Sequence, residues 1–484
     1  MNKIFQLWNS RSEAAKSAVV FTFAILLSRG ISIISTPIFT RIMPPDQIGV
    51  VGLFSSYLTI ISSISSLALN SGGFMVGLKE FTGKRDEYVS SILTLTTITA
   101  GILLLVFISA PSFWAELLGI PIGLVLLLLF GCLVTPAYEF WLMRQRYEYQ
   151  YKKAATITVL TSVISTVLAV FAVILARDIP EHLGELRLYV ATGCSLLVYL
   201  VIWIILLKKG GVFINRKFWT FSLALSLPLL GHSFASQMLS VSDRFFISKF
   251  VDNTAVGIYT TLYSVGSLAL MLWGALNSSF VPYLFQNLET EKQRKEVSVN
   301  AAKLLGGFSV LTFAVALMAP EIVRILAPQE YLDNILIVPP IIAGVYFISV
   351  GNFYSNLLVY CKNTLSIMVS SVLAGTVNVA LNVILIPRFG FVAAAYNTLI
   401  SYIVFALLQA FSSYHIFRKK NNGGFAYNNK LMILISLSTV ALTMSCILLY
   451  KNDLLRYCFM ILTIPAAVYF YISRRKHIGE CLKM

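Results

Sequence analysis

From Ala18 to Phe39 the chain is apolar apart from one charge, Arg29, which sits about halfway along the run. A guanidinium at mid-bilayer costs at least ~2.5–3.5 kcal/mol, so Arg29 must face a partner or a watery cavity. Thr22 lies two turns before it, and Ser32, Thr36 and Thr40 follow at helical spacing, so the arginine heads a polar stripe. The chemistry such a stripe offers is anion binding in a transport cavity. The competing reading is a structural arginine satisfied by neighbouring helices.

A second polar stripe opens the other half of the chain. Ser226, Ser233, Gln237, Ser240 and Arg244 fall on one helical face, and His232, Ser236 and Asp243 form a neighbouring one. His232 and Asp243 are the titratable candidates for coupling to a proton or a sodium ion. The alternatives are a hydrogen-bonded histidine and an interface carboxylate paired with other helices. Tyr57, Ser62, Ser65, Ser66 and Asn70 mark a third polar face, and Ser349, Asn352, Asn356 and Tyr360 a fourth. Asn378 and Asn382 lie one turn apart. The candidate substrate contacts are therefore Arg29, Ser32, Thr36, Gln237, Ser240, Asn352, Asn356 and Asn378, although such residues also hold membrane helices together.

The elements that must carry these residues follow from composition. Of 484 residues, 57% are hydrophobic and only 12% charged, with mean hydropathy +0.80. Soluble domains carry roughly 25% charged residues, so this is a polytopic membrane protein. The first apolar run is too long for a signal-peptide core and is read as an uncleaved span. Apolar windows of about 20 residues predict an all-α chain of about fourteen spans, near 17–40, 48–70, 88–110, 120–143, 154–176, 187–207, 219–247, 254–279, 299–319, 335–360, 364–386, 390–414, 430–450 and 454–473. With a cytoplasmic N-terminus, 27 of the 37 Lys and Arg fall in inside connections and 8 in outside ones, leaving Arg29 and Arg244 in the membrane. The positive-inside rule then gives both termini inside a cytoplasmic membrane. The net charge of +16 is thereby explained by anionic headgroups, without nucleic acid.

None of the six cysteines falls in an outside connection, so no disulfide is expected, and no Cys/His cluster has metal-ligand spacing. Glu139, near the inner end of the fourth span, is expected to pair with a nearby arginine. The longest outside connection, about 177–186, is too short for the large catalytic loop of a membrane glycan-assembly enzyme. Pro37, Pro136, Pro228 and Pro282 mark bends.

An internal repeat relates the two halves. Thr40-Arg41 with Gly49 recurs as Ser248-Lys249 with Gly257 at an offset of 208. Tyr151, Lys153, Ser162 and Val163 echo Tyr360, Lys362, Ser371 and Val372 at 209. Six spans separate the copies, which implies two parallel six-helix lobes, 1–217 and 218–420, followed by two further helices and a tail in 421–484. Substrate sites of such transporters lie between lobes. At the 208 offset Gln237 is the equivalent of Arg29.

Ser28-Arg29, the run from Pro37 through Thr40-Arg41-Ile42-Met43-Pro44-Pro45-Asp46 with Gly49, and Asp243-Arg244-Phe245-Phe246-Ile247 followed by Ala255-Val256-Gly257-Ile258-Tyr259 carry a resemblance. The chain resembles the polysaccharide (O-antigen, Wzx-type) flippases of the multidrug/oligosaccharidyl-lipid/polysaccharide exporter superfamily. That resemblance implies alternating access, no cofactor, and a polyprenyl-pyrophosphate-linked oligosaccharide moved from the cytoplasmic to the outer leaflet of a bacterial or archaeal membrane. The sequence holds no nucleotide-binding motif, so energy must come from an ion gradient, the membrane potential or substrate supply, and contact with glycan polymerase machinery is a further expectation. Arg29 would bind the pyrophosphate, since an arginine fork matches phosphate oxygens better than a lysine does. A cation-coupled multidrug exporter of the same fold, a lipid II flippase and a membrane glycan-assembly enzyme are the alternatives.

Overall fold

The structure is a computed structural model, and it describes residues 13–71, 73–420 and 424–461. Among these every regular element is helical. In chain order the helices are α1 (Glu13–Ile42), α2 (Pro45–Ser65), α3 (Gly73–Glu80), α4 (Arg85–Ser109), α5 (Pro111–Leu118), α6 (Ile122–Tyr147), α7 (Tyr151–Leu175) and α8 (Leu183–Gly210). They continue as α9 (Arg216–Phe250), α10 (Asn253–Gln286), α11 (Glu291–Leu326), α12 (Gln329–Leu332), α13 (Val338–Tyr360), α14 (Thr364–Phe389), α15 (Val392–Lys420) and α16 (Asn429–Leu449). Twelve described helices are long and apolar enough to cross a membrane, and the bent α9 makes thirteen. These coincide with the first thirteen expected spans. The fourteenth lies largely outside the described residues.

Helix α9 bends by 50° between Leu227 and Leu229. Pro37, Pro136 and Pro282 lie inside α1, α6 and α10.

The chain divides into two compact units, 1–257 and 258–484. In the first, α1 packs on α7, while α9 packs on α2, α3 and α4. By compactness α9 thus belongs with the first unit, whereas the repeat makes it the first helix of the second lobe. Three of the basic residues assigned to the inside, Arg85, Arg144 and Lys209, share carboxylate partners in this unit. Arg144 meets Asp86 at 2.5 Å and Glu148 at 3.0 Å, Lys209 meets Asp86 at 3.3 Å, and Arg85 meets Glu148 at 3.8 Å. Three separate helix ends are tied there.

The repeat has a structural counterpart at the start of α2 and α10. A Cβ on Gly49 would lie 1.9 Å from the Asn253 carbonyl oxygen, and one on Gly257 would lie 1.9 Å from that of Pro45. Pro45 and Asn253 are themselves 208 residues apart, as are Gly49 and Gly257. Each glycine therefore receives the partner's equivalent backbone, the reciprocal pattern of a two-fold contact. Only glycine lets the two backbones approach this closely.

In the second unit α13 is the most enclosed span, packed on α11, α14, α15 and α16. Gly351 leaves room for Phe405 of α15, whose ring would lie 2.4 Å from a Cβ there. Small residues substitute in this way for the hydrophobic driving force that lipid removes. Ser309–Thr439 (2.5 Å) and Tyr346–Ser436 (3.3 Å) hydrogen bonds fix α16 to α11 and α13.

Candidate substrate-binding faces

Helix α1 divides into three sectors. Phe21, Ala24, Ser35 and Phe39 are buried on the packed side. Phe23, Leu27, Ile34 and Ile38 are exposed and wholly apolar, as a lipid-facing side must be. Arg29 is exposed about 150° round the helix from that apolar group, at 3.6 residues per turn. Thr22 and Ser32 are exposed beside it and Thr36 is half-buried.

The stripe's hydroxyls return hydrogen bonds to their own helix. Ser32 Oγ donates to Ser28 O (3.4 Å), Thr36 Oγ1 to Ser32 O (2.9 Å) and Thr40 Oγ1 to Thr36 O (3.0 Å). The hydroxyl oxygens keep their acceptor capacity, and the helix asks nothing more of them. Arg29 makes no hydrogen bond, ion pair or ring contact among the described residues, so no neighbouring helix satisfies it. Arg29 is thus an exposed guanidinium at mid-span, without a partner among the described residues and on a different side of α1 from Phe23, Leu27, Ile34 and Ile38.

Helix α9 splits its expected face between packing and open polar groups. Ser226 is fully buried against Gly73, and Ser233 Oγ lies 3.5 Å from Ser63 Oγ of α2. Ser240 Oγ donates to Ser236 O (2.9 Å), and Ser236 Oγ is 3.4 Å from His232 Nδ1. Gln237, the repeat equivalent of Arg29, is half-buried and its amide makes no hydrogen bond among the described residues. Asp243 is 0% exposed and 3.8 Å from Arg244, which also donates to Ser240 O at 2.9 Å. The structure thus places Asp243 beside a buried cation.

In the second unit Asn352, at mid-span of α13, is half-buried and without a hydrogen bond among the described residues. Asn356 donates to Asn277 of α10 at 2.9 Å. Asn378 is fully buried: Asn382 donates to it (3.1 Å) and Asn397 of α15 donates to Asn382 (3.0 Å). That ladder joins α14 to α15 rather than facing open space. No described hydrogen bond or ion pair joins Arg29 to the other candidates.

Two charged residues differ from the sequence expectation. Glu139 accepts from Asn70 at 2.8 Å instead of pairing with an arginine, because Arg144 is engaged by Asp86 and Glu148. Arg187, expected in an outside connection, lies one turn inside α8, half-buried, with its guanidinium 3.7 Å from the Phe39 ring centroid. Its short interval from the predicted span boundary was the available signal.

The class these features define is an all-helical, multi-pass membrane protein. Solved structures share the fold at low identity. A lipid II flippase MurJ in an inward closed conformation is 16% identical, with a TM-score of 0.67, over 95% of this chain and 100% of that one. An inward-facing multidrug resistance MATE family transporter of the MOP superfamily is 12% identical (TM-score 0.57; 84% and 100% covered). A MOP superfamily transporter from Pyrococcus furiosus, described as having a binding pocket of reverse polarity, is 14% identical (TM-score 0.53; 85% and 97%). Comparison with curated proteins finds no match. Residues 14–288 match the family described as polysaccharide biosynthesis protein, and the chain belongs to that family.

Proposed function

We propose that the protein is a flippase that carries a polyprenyl-pyrophosphate-linked oligosaccharide from the cytoplasmic to the outer leaflet for surface polysaccharide assembly. The observation that carries this reading is Arg29: exposed, unpaired among the described residues and away from the lipid-facing sector of α1. A pyrophosphate brings at least two negative charges and planar oxygen sets, which a guanidinium fork receives in a low-dielectric setting. The hydroxyls of Thr22, Ser32 and Thr36 extend that face for further phosphate oxygens or sugar hydroxyls.

Gln237 and Asn352 offer neutral amides of the kind that hydrogen-bond sugars, with Ser240 beside the first and Asn356 one turn from the second. Asn378 supports the scaffold through its ladder. His232 and Asp243 are the groups through which a proton or sodium gradient would act, the latter through its pairing with Arg244. Membership of a polysaccharide biosynthesis family supports the substrate class, and the shared transporter fold supports alternating access between two lobes. The protein would act in the cytoplasmic membrane with both termini inside, beside the polymerase that consumes its product.

The test is the sidedness of the lipid-linked glycan pool in cells lacking the protein. Repeat units trapped on the cytoplasmic leaflet, with surface polysaccharide lost, are expected. An unchanged pool with new sensitivity to cationic drugs would replace this reading with an exporter, and shortened glycans on the outer leaflet would replace it with an enzyme.

A further inference from the structure

The connection between α6 and α7 borders an open surface cavity of about 540 Å³ lined by Trp141, Gln145, Gln150, Lys152, Lys153, Thr156 and Ile157. Its floor is a tight helix-to-helix turn. Gln150 N–H donates to Gln145 O (2.8 Å) and Tyr149 N–H to Arg146 O (3.3 Å), with Tyr149 in the left-handed region at φ 54°. This is a Schellman ending built without glycine. It delivers the chain into α7 with no residue to spare, so Gln150 opens that helix and its side chain caps none of the first N–H groups.

The charges at this point run against the helix. Lys152 and Lys153 occupy the first turn of α7, where the macrodipole is already positive and where no acidic residue sits. Neither lysine makes an ion pair among the described residues. The nearest carboxylate in sequence, Glu148, is engaged by Arg144 (3.0 Å) and Arg85 (3.8 Å) and is not free to compensate them.

A second observation is independent of the helix end. Gln145 is only 7% exposed, lines the cavity, and its side-chain amide makes no hydrogen bond among the described residues. The residue is enclosed by its neighbours, while its amide atoms reach the surface and can exchange hydrogen bonds with a ligand in the cavity. Two lysines, the start of a helix and a donor-acceptor amide therefore border one space. Trp141 and Ile157 supply an apolar wall and an interfacial indole.

We propose that this cavity binds the phosphate-bearing headgroup of a lipid in the leaflet on that face, which the basic-residue distribution assigns to the cytoplasm. Lys152, Lys153 and the N–H groups opening α7 take the phosphate oxygens. Gln145 takes a further oxygen or hydroxyl of the headgroup. If the lipid is the polyprenyl diphosphate of the proposed function, the cavity is a docking point used before transfer to Arg29. The site itself rests on phosphate chemistry alone.

The experiment measures saturable binding of undecaprenyl diphosphate, cardiolipin and inorganic pyrophosphate to the full-length protein in phosphatidylcholine nanodiscs. Binding of one or both lipids is expected to weaken about tenfold or more in Lys152→Ala/Lys153→Ala. Gln145→Glu, which places a like charge beside the phosphate, should weaken it by a comparable factor. Both lysines are exposed, so their removal leaves the fold intact. Arg29→Ala, measured in the same assay, is expected to retain this binding while losing transport, which separates failure of this site from failure of the flippase reading. Undecaprenyl diphosphate alone would identify a substrate dock, and cardiolipin alongside it a general phospholipid site. Unchanged lipid affinity in both cavity variants would overturn the proposal. So would lysine-dependent binding of inorganic pyrophosphate with none of either lipid.

Discussion

The reciprocal contact of Gly49 and Gly257 gives a prediction that depends on the repeat. In Gly49→Ala the new methyl would lie 1.9 Å from the Asn253 carbonyl oxygen and 2.8 Å from its carbon. Ordinary carbon contacts begin near about 3.5 Å, so the starts of α2 and α10 must separate by about 1.6 Å. The obstructing atoms are backbone, which no rotamer change can move aside. Overpacking of this kind costs about 1–3 kcal/mol, and the upper part of that range is expected. Gly257→Ala meets the Pro45 carbonyl at the same 1.9 Å and should cost a similar amount. Once one substitution has opened the crossing, the other finds room already made. The double variant should therefore fall short of the summed single effects by about 1 kcal/mol or more. Thermal unfolding of the four proteins in one detergent measures this cycle. Additivity within about 0.5 kcal/mol, or single variants as stable as the parent, would refute the shared crossing.

Other substitutions probe separate features of the structure. Asp243→Asn leaves Arg244 buried beside a neutral amide and should destabilise the protein by about 3 kcal/mol in thermal unfolding, with Asp243→Asn/Arg244→Gln recovering part of the loss. Asn382→Ala removes the middle of the Asn378–Asn382–Asn397 ladder; it should cost about 1–3 kcal/mol of stability while transport by the folded fraction is unchanged. Arg144→Ala cuts the tie between Asp86 and Glu148 at a partly solvated helix end, so a smaller loss of about 1 kcal/mol, shrinking as salt rises, is expected from unfolding at two ionic strengths.

Much of the fold was legible because the bilayer imposes a length on every apolar run. The spans from Val19–Ile42 to Asn429–Leu449 needed only windowed hydropathy. The short helices α3 and α5 were not foreseen, since eight residues carry too little periodicity to stand out in a connection. The Gly49 and Gly257 echo was visible at its 208-residue offset, but only the structure shows that the two positions meet each other's backbone.

For the candidate site, polarity located the right faces without resolving their neighbours. Arg29 could be singled out because charge at mid-span is so costly. Gln237 and Asn378 looked alike as polar residues on apolar helices, yet one is unpaired among the described residues and the other is enclosed in a ladder. That distinction depends on what α14 and α15 bring opposite Asn378, which helical spacing within α14 does not encode. The Lys152–Lys153 cavity escaped notice for a related reason: positive-inside counting absorbs basic residues before their local geometry is considered.

The most direct test of the central claim is transport by Arg29 variants in cells lacking the native protein. Arg29→Ala should insert at normal levels and restore no surface polysaccharide, while Arg29→Lys, which keeps the charge but loses the fork, should restore part of it. Normal polysaccharide in cells carrying Arg29→Ala would contradict the claim that this arginine receives the pyrophosphate.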